Sequence, residues 1–83
     1  MIMVYRTKGT CSQAINVEAE NGIVTKVQFV GGCAGNTAGI AKLVVGMKID
    51  DVIDRLEGTT CGPRPTSCPD QLAKALKQLK AEQ

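Results

Sequence analysis

Apolar and polar residues alternate in two stretches near the start of the chain, which is the pattern of β-strands that bury one face. In residues 13–20, Ile15 and Val17 alternate with polar neighbours, and residues 23–30 alternate in the same way. A shorter stretch, residues 3–8, precedes them and has the composition of an edge strand. The pattern therefore predicts three strands in succession.

The connection between the second and third predicted strands contains Asn21-Gly22, a pair typical of two-residue hairpin turns. In a regular ladder that turn would pair Val17 with Lys26, although residues paired across a ladder share one face of the sheet. A three-residue loop, Glu20–Gly22, pairs Val17 with Thr25 instead and keeps the apolar residues on one face. The pattern therefore predicts the three-residue loop.

Three later stretches show apolar residues at helical spacing. The first helix is predicted to follow Gly31–Asn36 and to end at Gly46, the second to begin at about Asp50 as N-cap, and the third to run from Pro69 to about Lys80. The third helix would bury four apolar side chains, those of Leu72, Ala75, Leu76 and Leu79. The order β-β-β-α-α-α predicts an α+β fold, a small antiparallel three-stranded sheet followed by three helices packed on one face.

The composition fits one small domain that spans residues 1–83. The net charge is +2 and no basic cluster is present, so no nucleic-acid partner is expected. No apolar run approaches the roughly 20 residues of a membrane span, and no signal peptide is recognisable. The expectation is a cytoplasmic protein without a membrane partner.

Four cysteines are the candidate chemistry of this chain, and each lies at the boundary of a predicted element. Cys11 precedes a strand, Cys33 leads from a strand into a helix, and Cys61 lies in a proline-rich loop. Cys68 would be the N-cap of the last helix, with Pro69 in its first turn, where the helix dipole favours negative charge. Several thiols in a cytoplasmic protein indicate metal or redox chemistry. Because such boundaries can converge at one end of a sheet, the sequence predicts tetrahedral zinc with four thiolate ligands.

Two other interpretations of the cysteines stay open. Transient disulfides between Cys61 and Cys68, or between Cys11 and Cys33, would make the protein redox-active. Alternatively, all four cysteines could be small buried hydrophobic residues without shared chemistry. Since the chain has no histidine, a further metal ligand would be a carboxylate, and Asp70 is the candidate.

A glycine-rich segment between the third strand and the first helix is a candidate anion site, because anions bind at helix N-termini that follow such loops. Neither the Walker pattern nor Gly-x-Gly-x-x-Gly is present, so a nucleotide site of either kind is not predicted. The candidate anion-binding residues are Gly32, Gly35, Asn36 and Arg64.

The pentapeptide Thr66–Asp70, Thr-Ser-Cys-Pro-Asp, is the one that names the TSCPD-domain family. With Gly31–Asn36 and Cys61–Arg64, it makes the chain similar over its length to small, stand-alone, four-cysteine members of that family. The domain also occurs at the C-terminus of class II, adenosylcobalamin-dependent ribonucleoside-diphosphate reductases. The resemblance therefore implies a functional relation to such a reductase, with nucleotide binding and DNA precursor synthesis.

The same resemblance implies a reductase, or another protein, as partner, and adenosylcobalamin would be bound only by that partner. Ribonucleotide reduction needs a large barrel with a radical cysteine, a cofactor site and a substrate pocket. A chain of 83 residues cannot supply these parts. The expected role is therefore that of an accessory domain, and no reductase activity is expected from the chain alone.

The chain also resembles iron–sulfur cluster scaffold proteins of the IscU/NifU type, which share the predicted element order. Cys11, Cys33 and Cys68 match the cysteine positions of the scaffolds, while Gln13 stands where the scaffolds have an acidic residue and Cys61 is additional. This resemblance implies an iron–sulfur cluster as the alternative to zinc, in a scaffold or transfer role. A third possibility is a non-enzymatic interaction module, including a homodimer formed through the first strand.

Overall fold

The computed structural model describes residues 2–7, 12–31, 34–60 and 66–81. The predicted order of three strands followed by three helices is confirmed. The elements are β1 (Ile2–Arg6), β2 (Ser12–Glu20), β3 (Ile23–Gly31), α1 (Ala34–Val44), α2 (Ile49–Leu56) and α3 (Cys68–Ala81). None of these helices is both long and apolar enough to cross a membrane.

β2 is the central strand of an antiparallel sheet, with β1 on one side and β3 on the other. Its residues Ile15 and Val17 are fully buried, as their alternation predicts. On the opposite face, Ile2 and Val4 of β1 are largely exposed. The sheet therefore has one covered and one open face, and the predicted α+β layout is confirmed.

The turn between β2 and β3 is shorter than predicted, and the three-residue loop was wrong. Glu20 pairs with Ile23, so Asn21 and Gly22 alone form the turn. Their φ angles of 53° and 78° place both residues in the left-handed region that a two-residue hairpin turn of this kind requires.

A β-bulge just beyond the turn restores the apolar face of β3. Val24 pairs with Ala19 and Lys26 pairs with Glu18, so Thr25 is one residue more than a regular ladder would hold. The extra residue reverses the direction in which the following side chains point. The next pairs on the buried face then join apolar residues, Val17 with Val27 and Ile15 with Phe29.

The core lies between the covered face of the sheet and the helices. α3 packs on β2 and β1, α1 packs on β3, and α2 packs mainly on α3. In α1, Val44 is buried, but Leu43 is 76% exposed although it shares the helical spacing of apolar residues. The four side chains predicted to be buried in α3 are buried, those of Leu72, Ala75, Leu76 and Leu79.

The far ends of α1 and α3 both lie near the hairpin turn. After α1, the N–H of Gly46 donates to the carbonyl oxygen of Val24 at 2.8 Å. α2 begins beside the turn, where the N–H of Ile49 donates to the carbonyl oxygen of Gly22 at 2.8 Å. Near the end of α3, Lys80 forms an ion pair with an aspartate in the first turn of α2.

The N-terminus of α2 differs from the prediction, because Asp50 is not its N-cap. The helix begins at Ile49, so Lys48 occupies the cap position, and its side chain donates or accepts no capping hydrogen bond. Asp50 and Asp51 lie in the first turn instead. Their negative charges there interact favourably with the positive end of the helix dipole.

Candidate functional site

Two of the four cysteines border residues that pair with each other in the sheet. Ser12, at the start of β2, is the ladder partner of Gly31, at the end of β3. In the sequence, Cys11 precedes Ser12 directly and Cys33 follows two residues after Gly31, although both cysteines lie outside the described residues. Segment 8–11, which contains Cys11, and segment 32–33, which contains Cys33, therefore both adjoin the end of the sheet where Ser12 pairs with Gly31. We call this end of the sheet the cysteine end.

The first turns of α1 and α3 both lie away from the hairpin turn. α1 begins at Ala34, three residues after β3 ends at the cysteine end, and runs back toward the hairpin. α3 contains 14 residues, and a helix of that length spans about 20 Å. Since Lys80 lies near the hairpin side, Cys68 lies about one helix length away from it.

The segment 61–65, which contains Cys61, is bordered by residues that are hydrogen-bonded to one another. The hydroxyl of Ser67 donates to the carbonyl oxygen of Thr59 at 2.5 Å. The N–H of Gly58 donates to Oδ1 of Asp70 at 2.7 Å. Both bonds join residues before the segment to residues after it, so the two chain ends that border the segment are held together.

Ser67, and not Cys68, is the N-cap of α3. The carbonyl oxygen of Ser67 accepts the N–H of Gln71 at 2.9 Å, and its Oγ accepts the N–H of Asp70 at 3.2 Å. Cys68 is therefore the first helical residue and Pro69 the second, each one position later than predicted. The physical reason is that a serine hydroxyl accepts a capping hydrogen bond well, whereas a thiol is a weak acceptor.

Asp70 is the centre of a buried hydrogen-bond network, and only 4% of its surface is exposed. Its Oδ1 accepts the N–H of Gly58, and its Oδ2 accepts the hydroxyl of Thr66. The Nζ atom of Lys74 lies 3.4 Å from Oδ2, and Nε2 of Gln71 donates to Oγ1 of Thr66 at 2.9 Å. In the part of the chain that the structure describes, no buried side-chain nitrogen or oxygen lacks a hydrogen-bond partner.

These contacts determine the ionisation of Asp70. Burial by itself would raise the pKa of Asp70, because a charge loses hydration inside the protein. The hydrogen bonds from Thr66 and Gly58 and the positive charge of Lys74 act in the opposite direction and hold the pKa below its ordinary value. At neutral pH the group is therefore a carboxylate that accepts hydrogen bonds through both oxygens.

Of the four predicted zinc ligands, Cys68 is the one that the structure describes. It is half-buried and is not part of a disulfide. The three other cysteines lie outside the described ranges, and within those ranges no group of three or more cysteine, histidine or acidic side chains is arranged to hold a metal ion. The four-thiol site and the additional ligand Asp70 stay predictions.

The predicted anion site is described only in part. Gly35 and Asn36 lie in the first turn of α1, which contains no acidic residue. Gly32 and Arg64 lie outside the described residues. Anion binding by these four residues therefore also stays a prediction.

Sequence reasoning missed the network around Asp70. One local signal was present, since Ser67 and Asp70 have the spacing of a capping box, in which the first residue caps the helix. Thr66 and Asp70 are also four residues apart, a distance at which side chains meet along a helical turn. The contact with Gly58 has no such signal, because it depends on how α2 packs against α3.

The chain belongs to the TSCPD-domain family, because the family model matches residues 3–80 of its 83 residues. The match covers almost the whole described fold, from β1 to α3. The resemblance predicted from the pentapeptide and the glycine-rich segment is thus confirmed. Comparisons with curated proteins and with solved structures found no match.

Proposed function

We propose that this TSCPD domain binds one zinc ion through four thiolates, those of Cys11, Cys33, Cys61 and Cys68. One observation carries the proposal: the described residues that border the cysteines are joined in pairs. Ser12 pairs with Gly31 across the sheet, and Ser67 is hydrogen-bonded to Thr59. Cys11 and Cys33 lie in the two segments that adjoin the first pair, Cys61 lies in the segment between Thr59 and Ser67, and Cys68 follows Ser67 directly.

The available donors fit zinc. The chain has no histidine, and four thiolates in a tetrahedral arrangement form a common type of structural zinc site. Zinc with four protein ligands has no open coordination position, so it supplies a cross-link between elements and not a catalytic water. Cys68 would contribute its thiolate from the first turn of α3, where the helix dipole stabilises negative charge.

Metal analysis tests this proposal. Protein purified without added metal is expected to contain about one zinc per chain, as a four-ligand site requires. Thiol titration should find no reactive thiol before chelation, and all four cysteines after it. Each single cysteine-to-serine variant should lose most of the zinc. A fully folded, metal-free protein with four titratable thiols would contradict the proposal.

The role proposed for the zinc-bound domain is that of an accessory to a class II ribonucleoside-diphosphate reductase. Family membership supports this relation, in which the reductase itself would hold adenosylcobalamin and the nucleotide. Binding to such a reductase, and its turnover with and without the domain, tests the role. A reductase that neither binds the domain nor changes its turnover would contradict it.

A thiol-redox or iron–sulfur scaffold role is the second candidate. It is favoured by the partial exposure of Cys68, because thiol exchange and cluster transfer both need an accessible sulfur. Anaerobic reconstitution with iron and sulfide should give visible absorption if a cluster forms. A protein that stays colourless and keeps its zinc would exclude the cluster.

A further inference from the structure

We propose that Asp70 and Thr66 are positioning residues, which hold the two ends of segment 61–65 in place and set the affinity of the metal site without binding the metal. The inference rests on the proposed zinc site and goes beyond it, because it assigns a role to the buried network that is not the role of a ligand. In this proposal Asp70 is a positioning residue and not an additional metal ligand.

The direction of the side chains on α3 separates Asp70 from Cys68. The two residues are two positions apart in the helix, and successive residues of an α-helix turn by about 100°. Their side chains therefore leave the helix on nearly opposite sides. Residues four positions apart in a helix share a side, and Lys74, four residues after Asp70, lies beside its carboxylate. Thr66, which precedes the helix, donates its hydroxyl to the same carboxylate.

The carboxylate oxygens of Asp70 are already in use by protein donors. Oδ1 accepts the N–H of Gly58 at 2.7 Å, and Oδ2 accepts the hydroxyl of Thr66 and faces Nζ of Lys74 at 3.4 Å. Binding a metal through Asp70 would break hydrogen bonds to a buried carboxylate, which are stronger than hydrogen bonds between neutral groups. The hydrogen-bond network therefore favours a positioning role for Asp70 over a role as a metal ligand.

One side chain reaches both ends of the segment that contains Cys61. Gly58 lies before the segment and Thr66 directly after it, and both donate to Asp70. A second bond, from Ser67 to Thr59, spans the same gap. Because the two ends are already held together before metal binds, metal binding costs less conformational entropy. The network therefore prepares one of the two cysteine-bearing parts of the proposed site.

Thr66→Val and Asp70→Asn test the proposal, because they remove the hydroxyl donor and one accepting oxygen with little change of volume. Thr66→Ser is the matched control, since it keeps the hydroxyl. Leu79→Ala is the stability control, because it opens a cavity in the core near the other end of α3. Binding of cobalt(II), a coloured substitute for zinc, is measured by competition with a chelator.

The positioning role predicts cobalt binding weakened about tenfold or more in Thr66→Val and Asp70→Asn, the loss expected for a hydrogen bond to a charged group. At saturating cobalt the absorption spectrum should equal that of the wild type, because the ligands are the same. Thr66→Ser and Leu79→Ala should bind cobalt as the wild type does. A spectrum altered only by Asp70→Asn, with normal affinity in Thr66→Val, would identify Asp70 as a ligand and overturn the proposal.

Amide exchange in the metal-free protein separates failure of this inference from failure of the zinc site. The N–H of Gly58 should be protected in the wild type and in Leu79→Ala at a pH where both are folded. It should exchange at least about tenfold faster in Asp70→Asn, where its acceptor is weakened. If the wild type takes up no cobalt, the zinc proposal fails. Amide exchange then still tests whether Asp70 holds the two ends of segment 61–65 together. Unchanged exchange of Gly58 in Asp70→Asn would overturn the network's role.

Discussion

At the scale of single residues, the N-terminus of α3 combines a helix cap with a loop support. Ser67 caps the helix through its Oγ and also donates that hydroxyl to Thr59. Asp70 takes part in the same helix turn and accepts a backbone N–H from twelve residues earlier in the chain. The pentapeptide that identifies the family therefore contains structural residues as well as the proposed ligand Cys68.

Two glycines give opposite predictions for substitution by alanine. Gly22 has a φ of +78°, where an L-residue with a Cβ is strained, so Gly22→Ala should lower the free energy of unfolding by about 1–2 kcal/mol. Gly39 lies within α1 with nothing within 4 Å of an added Cβ. Gly39→Ala should therefore raise the free energy of unfolding by about 0.4–1 kcal/mol. Urea unfolding measures both, and a loss of stability in Gly39→Ala would contradict the description of an open helix surface.

The residue-level features could be predicted in part from the sequence. The pair Asn21-Gly22 predicts the turn, and the apolar spacing predicts the start of the last helix to within one residue. The cap was misplaced because the preference for proline at the first helical position is statistical, while the hydroxyl of Ser67 forms the actual bond. The position of Pro69 alone therefore does not identify the residue that caps the helix.

At the scale of elements, the hairpin shows how a two-residue turn forms without the regular register that would follow from it. In a regular ladder, a two-residue turn would place Val17 opposite Lys26 and put an apolar and a charged residue on the same face. The bulge at Thr25 makes the ladder irregular and places Val27 opposite Val17. A two-residue turn followed by a bulge therefore satisfies both the turn preference of Asn21-Gly22 and the apolar pattern.

Deletion of Thr25 tests this description of the hairpin. Since Thr25 is the extra residue, its removal should leave the pairs on either side unchanged and the protein folded. Deletion of Gln28, by contrast, should turn the half-buried Phe29 away from the core and lower the free energy of unfolding by about 1–3 kcal/mol, less than the loss of a fully buried aromatic side chain would. Cross-strand nuclear Overhauser contacts between Val17 and Val27 report the register. Loss of those contacts on deleting Thr25 would contradict the bulge.

The helices allow a second comparison at this scale. Leu76 of α3 is fully buried, whereas Leu43 of α1 is 76% exposed. Leu76→Ala should lower the free energy of unfolding by about 2–5 kcal/mol, and Leu43→Ala should change it by no more than about 0.5 kcal/mol. Thermal and urea unfolding measure the difference. Equal losses in the two variants would mean that the outer face of α1 is covered in solution.

Leu76 and Leu43 also show why helical spacing alone does not predict burial. Both leucines have the helical spacing that predicts burial, and only the packing of neighbouring elements distinguishes them. α3 lies over the middle of the sheet, while α1 lies over the edge strand β3. A helix at an edge has fewer neighbours, so part of its apolar surface stays exposed.

At the scale of the whole molecule, the fold gathers the borders of the cysteine segments through contacts of different kinds. The sheet joins Ser12 and Gly31 by strand pairing, and the helices join Gly58 and Asp70 by a hydrogen bond. The order of elements was predictable, because periodicity is a local property of the sequence. The joining of Gly58 to Asp70 was not, because it depends on the position of α2 against α3.

X-ray absorption at the zinc edge measures directly whether four thiolates hold one zinc ion. The spectrum reports the ligand atoms around the metal in protein purified without added zinc. If four thiolates hold the ion, we expect a zinc edge with four sulfur neighbours at about 2.3 Å and no oxygen or nitrogen shell. A shell of oxygen or nitrogen atoms, or folded protein with no zinc edge above background, would contradict it.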